Sequence, residues 1–263
     1  AGLAGGKSGT SRRSSEAWQA IDGAAKPNAD FFQKQAKGKI EAEIKEQKRR
    51  KEQPKVQLHP PYLYPSHILE SELEALPLAK CPVPLHVITD KEEARKAIAK
   101  IRRHEIIGID TETRPSFTQG VRYEVSLLQI ATPTDCYLFR LNHIGFSVAL
   151  ANLLSDEKIL KIGLSLSDDV RCLRRLRPFE PGSFVELQKL CFGYGIRELG
   201  LQKIYAILFK ERMSKASRMS NWEAKELSPA QIHYAALDAW AALRIFLELR
   251  QQPNPSPVYF ALL

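Results

Sequence analysis

The chain has 263 residues, of which 44% are hydrophobic and 26% charged, proportions that are ordinary for a soluble globular protein. No segment approaches the roughly 18 consecutive apolar residues of a membrane-spanning helix, so a membrane-embedded protein is not expected. The net charge is +9, and residues 1–60 contribute +6 of it, with 13 basic and 7 acidic residues. A basic balance favours a polyanionic partner, and a solvated tail that keeps the protein soluble is the alternative.

Composition divides the chain into four segments. Residues 1–60 are rich in small, polar and charged residues, which predicts a basic tail that is largely disordered or marginally helical. The prolines of residues 61–83 predict a linker. Residues 84–250 alternate apolar and polar segments as a folded domain does, and residues 251–263 are a C-terminal extension. The four cysteines include no closely spaced pair, which predicts free thiols rather than disulfides or a zinc site.

Short apolar runs rich in branched residues predict the strands of a mixed sheet, and helical spacing predicts covering helices, which gives an α/β fold class. Asp90 is predicted to cap the first helix of the domain. Ser228, Pro229 and Gln231 have the spacing of a capping box, and they predict a final helix that continues to about Arg250. The predicted strands are residues 86–88, 106–109, 125–131, 136–141, 159–164 and 184–187.

Two acidic residues end the apolar run Ile106–Ile109. Asp110 and Glu112 are two residues apart, so in a strand they project to the same face at about 7 Å spacing. Two acids at a buried strand end repel each other and are costly to desolvate, and a bound divalent cation relieves both effects. An isolated pair of this kind is more often only an exposed strand end. The pair therefore indicates a functional site only together with the other acidic residues of the chain.

Asp168 and Asp169 begin the helix that follows the strand at residues 159–164. At about 100° per residue, Asp169 lies at the edge of the apolar stripe of this helix and Asp168 on the solvent side. Asp169 is therefore the acid expected to point toward the strand ends. For Asp168 we expect only a favourable interaction with the helix N-terminus.

Tyr234 and Asp238 are one helical turn apart on the final helix, so they share a face. The surrounding alanines allow this helix to pack closely against its neighbours. A surface hydrogen bond between the two side chains is the structural alternative to a functional pair.

Together these pieces resemble the three motifs of the DEDD superfamily of 3'-5' exonucleases, in its tyrosine-containing branch. The segments Gly108–Thr113, Val125–Ala131, Phe184–Leu187, Ser220–Trp222 and Tyr234–Ala239 look like the RNase D and Werner-syndrome-type exonuclease domains. They are also similar to stand-alone bacterial 3'-5' exonuclease domain proteins. The resemblance covers roughly residues 84–250 and implies an RNase H-like fold, with a mixed sheet flanked by helices.

The resemblance further implies hydrolysis of phosphodiester bonds with two metal ions, Mg²⁺ or Mn²⁺, and release of nucleoside 5'-monophosphates. In that reading Asp110, Glu112 and Asp238 bind one ion and Asp110 bridges to the second. Asp169 supports the second ion, and Tyr234 orients the attacking water.

Residues near Trp222 are candidates for nucleic-acid binding. Lys215 and Arg218 carry charge that suits a phosphate backbone, and Asn221 belongs to the motif shared with the exonuclease domains. Trp222 is expected either to stack on a base or to pack beneath its loop. The arginines at positions 171, 174, 175 and 177 are expected mainly to form a solvated helix face.

DNA with a single-stranded or other accessible 3' end is the expected substrate, and RNA is the alternative within the same superfamily. A nucleic-acid-binding module without catalysis is the alternative from another class, although all four acids and the tyrosine are present. A helicase or repair partner is an open expectation. The expected location is the cytoplasm, with nucleoid association, for a bacterial protein and the nucleus for a eukaryotic one.

Overall fold

The computed structural model describes residues 64–253. The tail expected at residues 1–60 lies outside this range, as does most of the C-terminal extension expected at residues 251–263. No helix among the described residues is long and apolar enough to cross a membrane.

The centre of the fold is a mixed sheet of six strands in the order β1-β4-β3-β2-β5-β6. The two pairs β4–β3 and β3–β2 are antiparallel, whereas β1–β4, β2–β5 and β5–β6 are parallel. The strands are β1 (Leu85–Ile88), β2 (Ile106–Thr113), β3 (Val125–Ala131), β4 (Cys136–Arg140), β5 (Leu160–Gly163) and β6 (Phe184–Glu186). All six lie at the positions that the apolar runs predict, and β2 continues four residues beyond its apolar part.

Helices cover both faces of the sheet in the described range. They are α1 (Glu70–Glu74), α2 (Lys91–Ile101), α3 (Leu141–Ile144), α4 (Val148–Ser155), α5 (Leu166–Leu176), α6 (Leu187–Gly193), α7 (Leu201–Phe209) and α8 (Pro229–Leu249). The capping predictions agree with the structure. The Asp90 carboxylate accepts from the backbone N–H groups of Glu92 and Glu93, and Ser228 and Gln231 form a reciprocal capping box at the start of α8.

The two faces of the sheet have different cores. On one face, side chains such as Ile109 and Phe139 pack with those of α2, α4 and α5. On the other face, Leu127 and Leu138 pack against the alanine-rich side of α8 and the ring of Trp222. Strand β2 therefore has α5 on one side and α8 on the other, which decides where its terminal acids meet the rest of the chain.

The linker expected at residues 61–83 is instead packed against the domain over its described part. The N–H of Ala79 donates to the carbonyl oxygen of Arg212 at 2.9 Å, and the N–H of Arg212 donates to that of Pro77 at 2.8 Å. Proline content made this segment resemble a linker, but these long-range backbone hydrogen bonds have no signal in local sequence.

Candidate active site

The site begins where β2 leaves the core. Gly108, Asp110 and Glu112 alternate along the strand and share the face that α8 covers. Gly108 is a point of close approach, because a Cβ atom placed there would lie 2.0 Å from the backbone oxygen of Ala239. The missing side chain allows α8 to pack directly on β2, and Asp238, next to Ala239, is brought beside the two acids of the strand.

Three carboxylates meet as a result. Oxygen atoms of Asp110, Glu112 and Asp238 all lie within 4.8 Å of one another. Asp238 is only 7% exposed, and the other two are partly buried. We call these three residues the carboxylate triad.

Burial and mutual repulsion favour protonation of the triad. Burial, followed by the charges of Asp238, Asp169 and Glu112, raises the pKa of Asp110 well above its usual value. Burial and the same two aspartates raise the pKa of Glu112 to about 9, and Arg218 opposes this shift. Burial also raises the pKa of Asp238 to about 7, against the hydrogen bond from Tyr234. A bound cation would offset this repulsion and displace protons from the three carboxylates.

Asp169 approaches from the opposite face of the sheet, on the first turn of α5. The hydroxyl of Thr111, between the two acids of β2, donates a hydrogen bond to the Asp169 carboxylate. Burial raises the pKa of Asp169 to about 6, while the Thr111 hydrogen bond lowers it. Asp168 instead has a 67% exposed side chain that pairs with Arg171. The helical periodicity of the sequence therefore separates the two aspartates as the structure does.

Glu186, at the end of β6, fixes the start of α5. Its carboxylate accepts from the N–H of Ser165 at 3.0 Å and from that of Leu166 at 2.9 Å. It also accepts from the N–H of Gln188 at the start of α6, at 3.2 Å. Ser165 has a left-handed backbone with φ of 60°, which a serine adopts only at a cost. The sequence predicts this strand, but it assigns Glu186 no role at the site.

Tyr234 adds a hydroxyl group to the triad. The phenol lies close enough to the carboxylate of Asp238, one turn later on α8, to lower the pKa of that carboxyl by hydrogen bonding. Burial and the charges of Asp238, Glu112 and Asp110 raise the pKa of Tyr234 above its usual range. The phenol consequently remains protonated at neutral pH and acts as a hydrogen-bond donor.

The acids and the tyrosine open onto one cavity of about 490 Å³. Basic side chains line it as well, including Lys215 and Arg218 from the segment before Trp222, and Lys203 from α7, which sequence reasoning did not select. The remaining lining residues are Thr111, Leu164, Ser165, Asp168, Gly200, Leu201 and Gln202. A cavity with an acidic floor and basic walls suits a ligand that carries both phosphate and metal.

Trp222 does not fit the expectation of base stacking, because its side chain is fully buried. Its ring lies 6.1 Å from that of Tyr234 and belongs to the core beneath α8, which is the packing alternative. Asn221 is exposed, and its side-chain oxygen accepts from the N–H of Glu223 at 3.1 Å. Among the described residues, Asn221 does not line the cavity.

The donor set fits a hard divalent cation. Three carboxylates within 4.8 Å offer only oxygen ligands, the type that Mg²⁺ and Mn²⁺ prefer. Burial, and after it repulsion from the neighbouring carboxylates, raises the pKa values of Asp110 and Glu112, and a bound cation would oppose both effects.

Comparison with known proteins gives a consistent result. Residues 85–253 match the protein family described as 3'-5' exonuclease. The chain is 33% identical over 155 residues to exonuclease 3'-5' domain-containing protein 2 of Drosophila melanogaster. The aligned region covers 57% of this chain and 26% of the fly protein. It is 29% identical over 157 residues to a 3'-5' exonuclease of Arabidopsis thaliana. The aligned region covers 56% of this chain and 54% of the plant protein. The chain thus spans about a quarter to a half of these relatives.

The fold also has a counterpart among solved structures. The Nibbler EXO domain of Aedes aegypti superposes with a TM-score of 0.61 at 22% sequence identity, covering 70% of this chain and 99% of that domain. This likeness confirms the expected mixed sheet flanked by helices of the RNase H-like type.

Proposed function

The chain belongs to the 3'-5' exonuclease family, and from this membership we propose that it is a metal-dependent 3'-5' exonuclease that removes nucleotides from the 3' end of DNA. The observation that carries the proposal is the carboxylate triad, placed on the floor of a cavity with basic walls. RNA is the alternative substrate, because an exoribonuclease would need the same acids.

The proposed cofactors are two Mg²⁺ or Mn²⁺ ions. Asp110, Glu112 and Asp238 would hold one, with Asp110 shared with the second and Asp169 supporting that second ion directly or through water. Bound there, the ions would activate water, stabilise negative charge on the phosphate oxygens and favour departure of the 3' oxygen.

The remaining roles belong to groups of the chain itself. The protonated phenol of Tyr234 would orient the attacking water by donating a hydrogen bond. Arg218, whose charge already acts on Glu112, would bind a phosphate oxygen near the reacting bond. Lys215 lines the same cavity, and its ammonium group would attract the phosphate backbone of the nucleic acid.

In the overall reaction, a water oxygen forms a bond to phosphorus and the bond from phosphorus to the 3' oxygen of the preceding nucleotide breaks. The products are a nucleoside 5'-monophosphate and a strand one nucleotide shorter, with a new 3' hydroxyl group. This assignment predicts mononucleotide products and no cleavage from the 5' end.

The test uses 5'-labelled single-stranded DNA, recessed duplex DNA and RNA of the same sequence, each with Mg²⁺, Mn²⁺ or EDTA. We expect stepwise shortening from the 3' end that needs a divalent ion and is lost in Asp110→Ala and Asp238→Ala, while circular dichroism shows that both variants remain folded. If the protein cleaves RNA and not DNA, RNA is its substrate. Robust cleavage by either purified variant, or none by the wild type on any substrate, would overturn the proposal.

A further inference from the structure

A segment outside the matched family region contacts two lysines that line the cavity. Residues 64–79, which we call the N-terminal strap, lie before residue 85, where the family match begins. The strap is attached at both ends, because the N–H of Arg197 donates to the carbonyl oxygen of Ser66 at 2.8 Å, and Pro77 and Ala79 pair with the backbone of Arg212. Helix α1, within the strap, is therefore held in a defined place on the domain.

The strap presents one carboxylate to two lysines. Oε2 of Glu70 lies 3.6 Å from Nζ of Lys203, and Oε1 lies 3.9 Å from Nζ of Lys215. Both lysines line the cavity that contains the carboxylate triad. Glu198 adds a second acid, with Oε1 3.8 Å from Nζ of Lys203. The Glu70 carboxylate thus already lies between the two lysines, as a phosphate group would.

The two ion pairs have the properties of an exchangeable contact. The side chain of Glu70 is 56% exposed and that of Lys215 is 57% exposed, so water screens their attraction. Exposed pairs of this length are weak, and a phosphate that approaches the same lysines competes with the carboxylate on favourable terms.

We propose that Lys203 and Lys215 form a subsite for a backbone phosphate of the substrate, and that the Glu70 carboxylate occupies this subsite until a polynucleotide displaces it. The inference rests on the proposed function and adds to it a residue from outside the family region that tunes affinity. Arg218 acts on Glu112, a member of the triad. The lysine pair faces the strap and is suited to a phosphate farther from the reacting bond.

Substrates of different length should therefore distinguish the contribution of the triad from that of the lysine pair. A small ester with a single phosphate, such as the p-nitrophenyl ester of thymidine 5'-monophosphate, would occupy the triad but has no second phosphate for the lysines. A single-stranded oligonucleotide of twelve nucleotides supplies one. Removing the Glu70 charge should change the KM of the oligonucleotide and leave that of the small ester unchanged.

The experiment compares Glu70→Gln with Glu74→Gln in the full chain. Both variants remove one negative charge from α1, but within the described residues Glu74 has no ion pair. For the oligonucleotide at low salt, we expect Glu70→Gln to lower KM about three- to tenfold with kcat nearly unchanged, and the effect to fade at high salt. Glu74→Gln should change KM much less. In a Lys203→Ala, Lys215→Ala background, KM should rise and Glu70→Gln should have no further effect.

Equal effects of the two glutamate variants, or an unchanged effect of Glu70→Gln without the lysines, would overturn the inference. Fluorescence anisotropy gives a readout that does not depend on catalysis, with Mn²⁺ present and an oligonucleotide whose last linkage is an uncleavable methylphosphonate. If the wild type cleaves no substrate, the proposed function fails. The binding comparison still decides whether Glu70 competes for the lysines.

Discussion

The hydroxyl of Thr111 donates a hydrogen bond to the carboxylate of Asp169, which connects β2 to α5 at the point where the acids of the two elements meet. Asp169 is thereby held on the inner side of its helix, whereas its neighbour Asp168 is exposed and paired with Arg171. The two adjacent aspartates should therefore differ widely in their importance for hydrolysis.

We expect Asp169→Ala to lower kcat by more than the roughly 10- to 100-fold loss typical of residues that only support a metal ligand. Asp168→Ala should cost less than about fivefold, because an exposed ion pair is worth at most about 1 kcal/mol. Steady-state kinetics of the two purified variants provides the measurement. Equal losses, or a larger loss for Asp168→Ala, would show that Asp169 is not the functional acid.

Glu186 should act as a positioning residue for Asp169, because it holds the first backbone N–H groups of α5. We expect Glu186→Ala to lower kcat about 10- to 100-fold and to raise the Mn²⁺ concentration needed for half-maximal activity. Glu186→Gln keeps an acceptor oxygen and should recover part of the loss. If stability falls while the Mn²⁺ requirement stays constant, the role of Glu186 is structural only.

Gly108→Ala tests the close contact between β2 and α8. An added Cβ would lie 2.0 Å from a backbone oxygen of α8, so the helix must move away from the strand. Overpacking of this kind typically costs about 1–3 kcal/mol of unfolding free energy. We also expect loss of activity, since Asp238 moves with the helix, and chemical denaturation with kinetics measures both. A variant with wild-type stability and activity would contradict the close packing.

The pH dependence of stability follows from the acids of the site. Their pKa values are raised in the folded protein, to about 6 for Asp169, 7 for Asp238 and 9 for Glu112. The folded state therefore binds more protons than the unfolded state, whose acids titrate at about pH 4. In EDTA, the unfolding free energy should fall as pH rises from about 4 to 9. Asp110→Asn should flatten this decline, and the exposed Asp168→Asn should not.

Divalent ions should oppose the same repulsion. An ion that binds only the folded state stabilises it by about 2.7 kcal/mol at 100 times its dissociation constant. We expect Mn²⁺ to raise the Tm of the wild type, and to raise that of Asp110→Asn less because one charged ligand is gone. Without metal, Asp110→Asn should be at least as stable as the wild type. Identical thermal shifts in both proteins would place the bound ion elsewhere.

Local patterns in the sequence account for much of this fold. The strands appear as short branched runs, and the box formed by Ser228 and Gln231 defines the start of α8 because capping depends on residues only three apart. The orientation of Asp169 also follows from local geometry, since helical periodicity alone separates it from Asp168.

Other features depend on contacts between distant segments. The strap resembled a linker because its prolines are visible in sequence, while its hydrogen bonds to Arg212 are not. The burial of Trp222 depends on how α8 packs over the sheet. Lys203 had no motif to identify it, and it becomes a candidate only because the N-terminal end of α7 borders the cavity.

The construction of the triad from β2 and α8 also has a consequence during synthesis. Asp110 and Asp238 are 128 residues apart in the chain, so a nascent polypeptide exposes the acids of β2 long before the third carboxylate has been translated. Domains fold as units and distant contacts form late. The ribosome-bound chain is therefore expected to remain inert toward nucleic acid, and to become competent for hydrolysis only when α8 has docked.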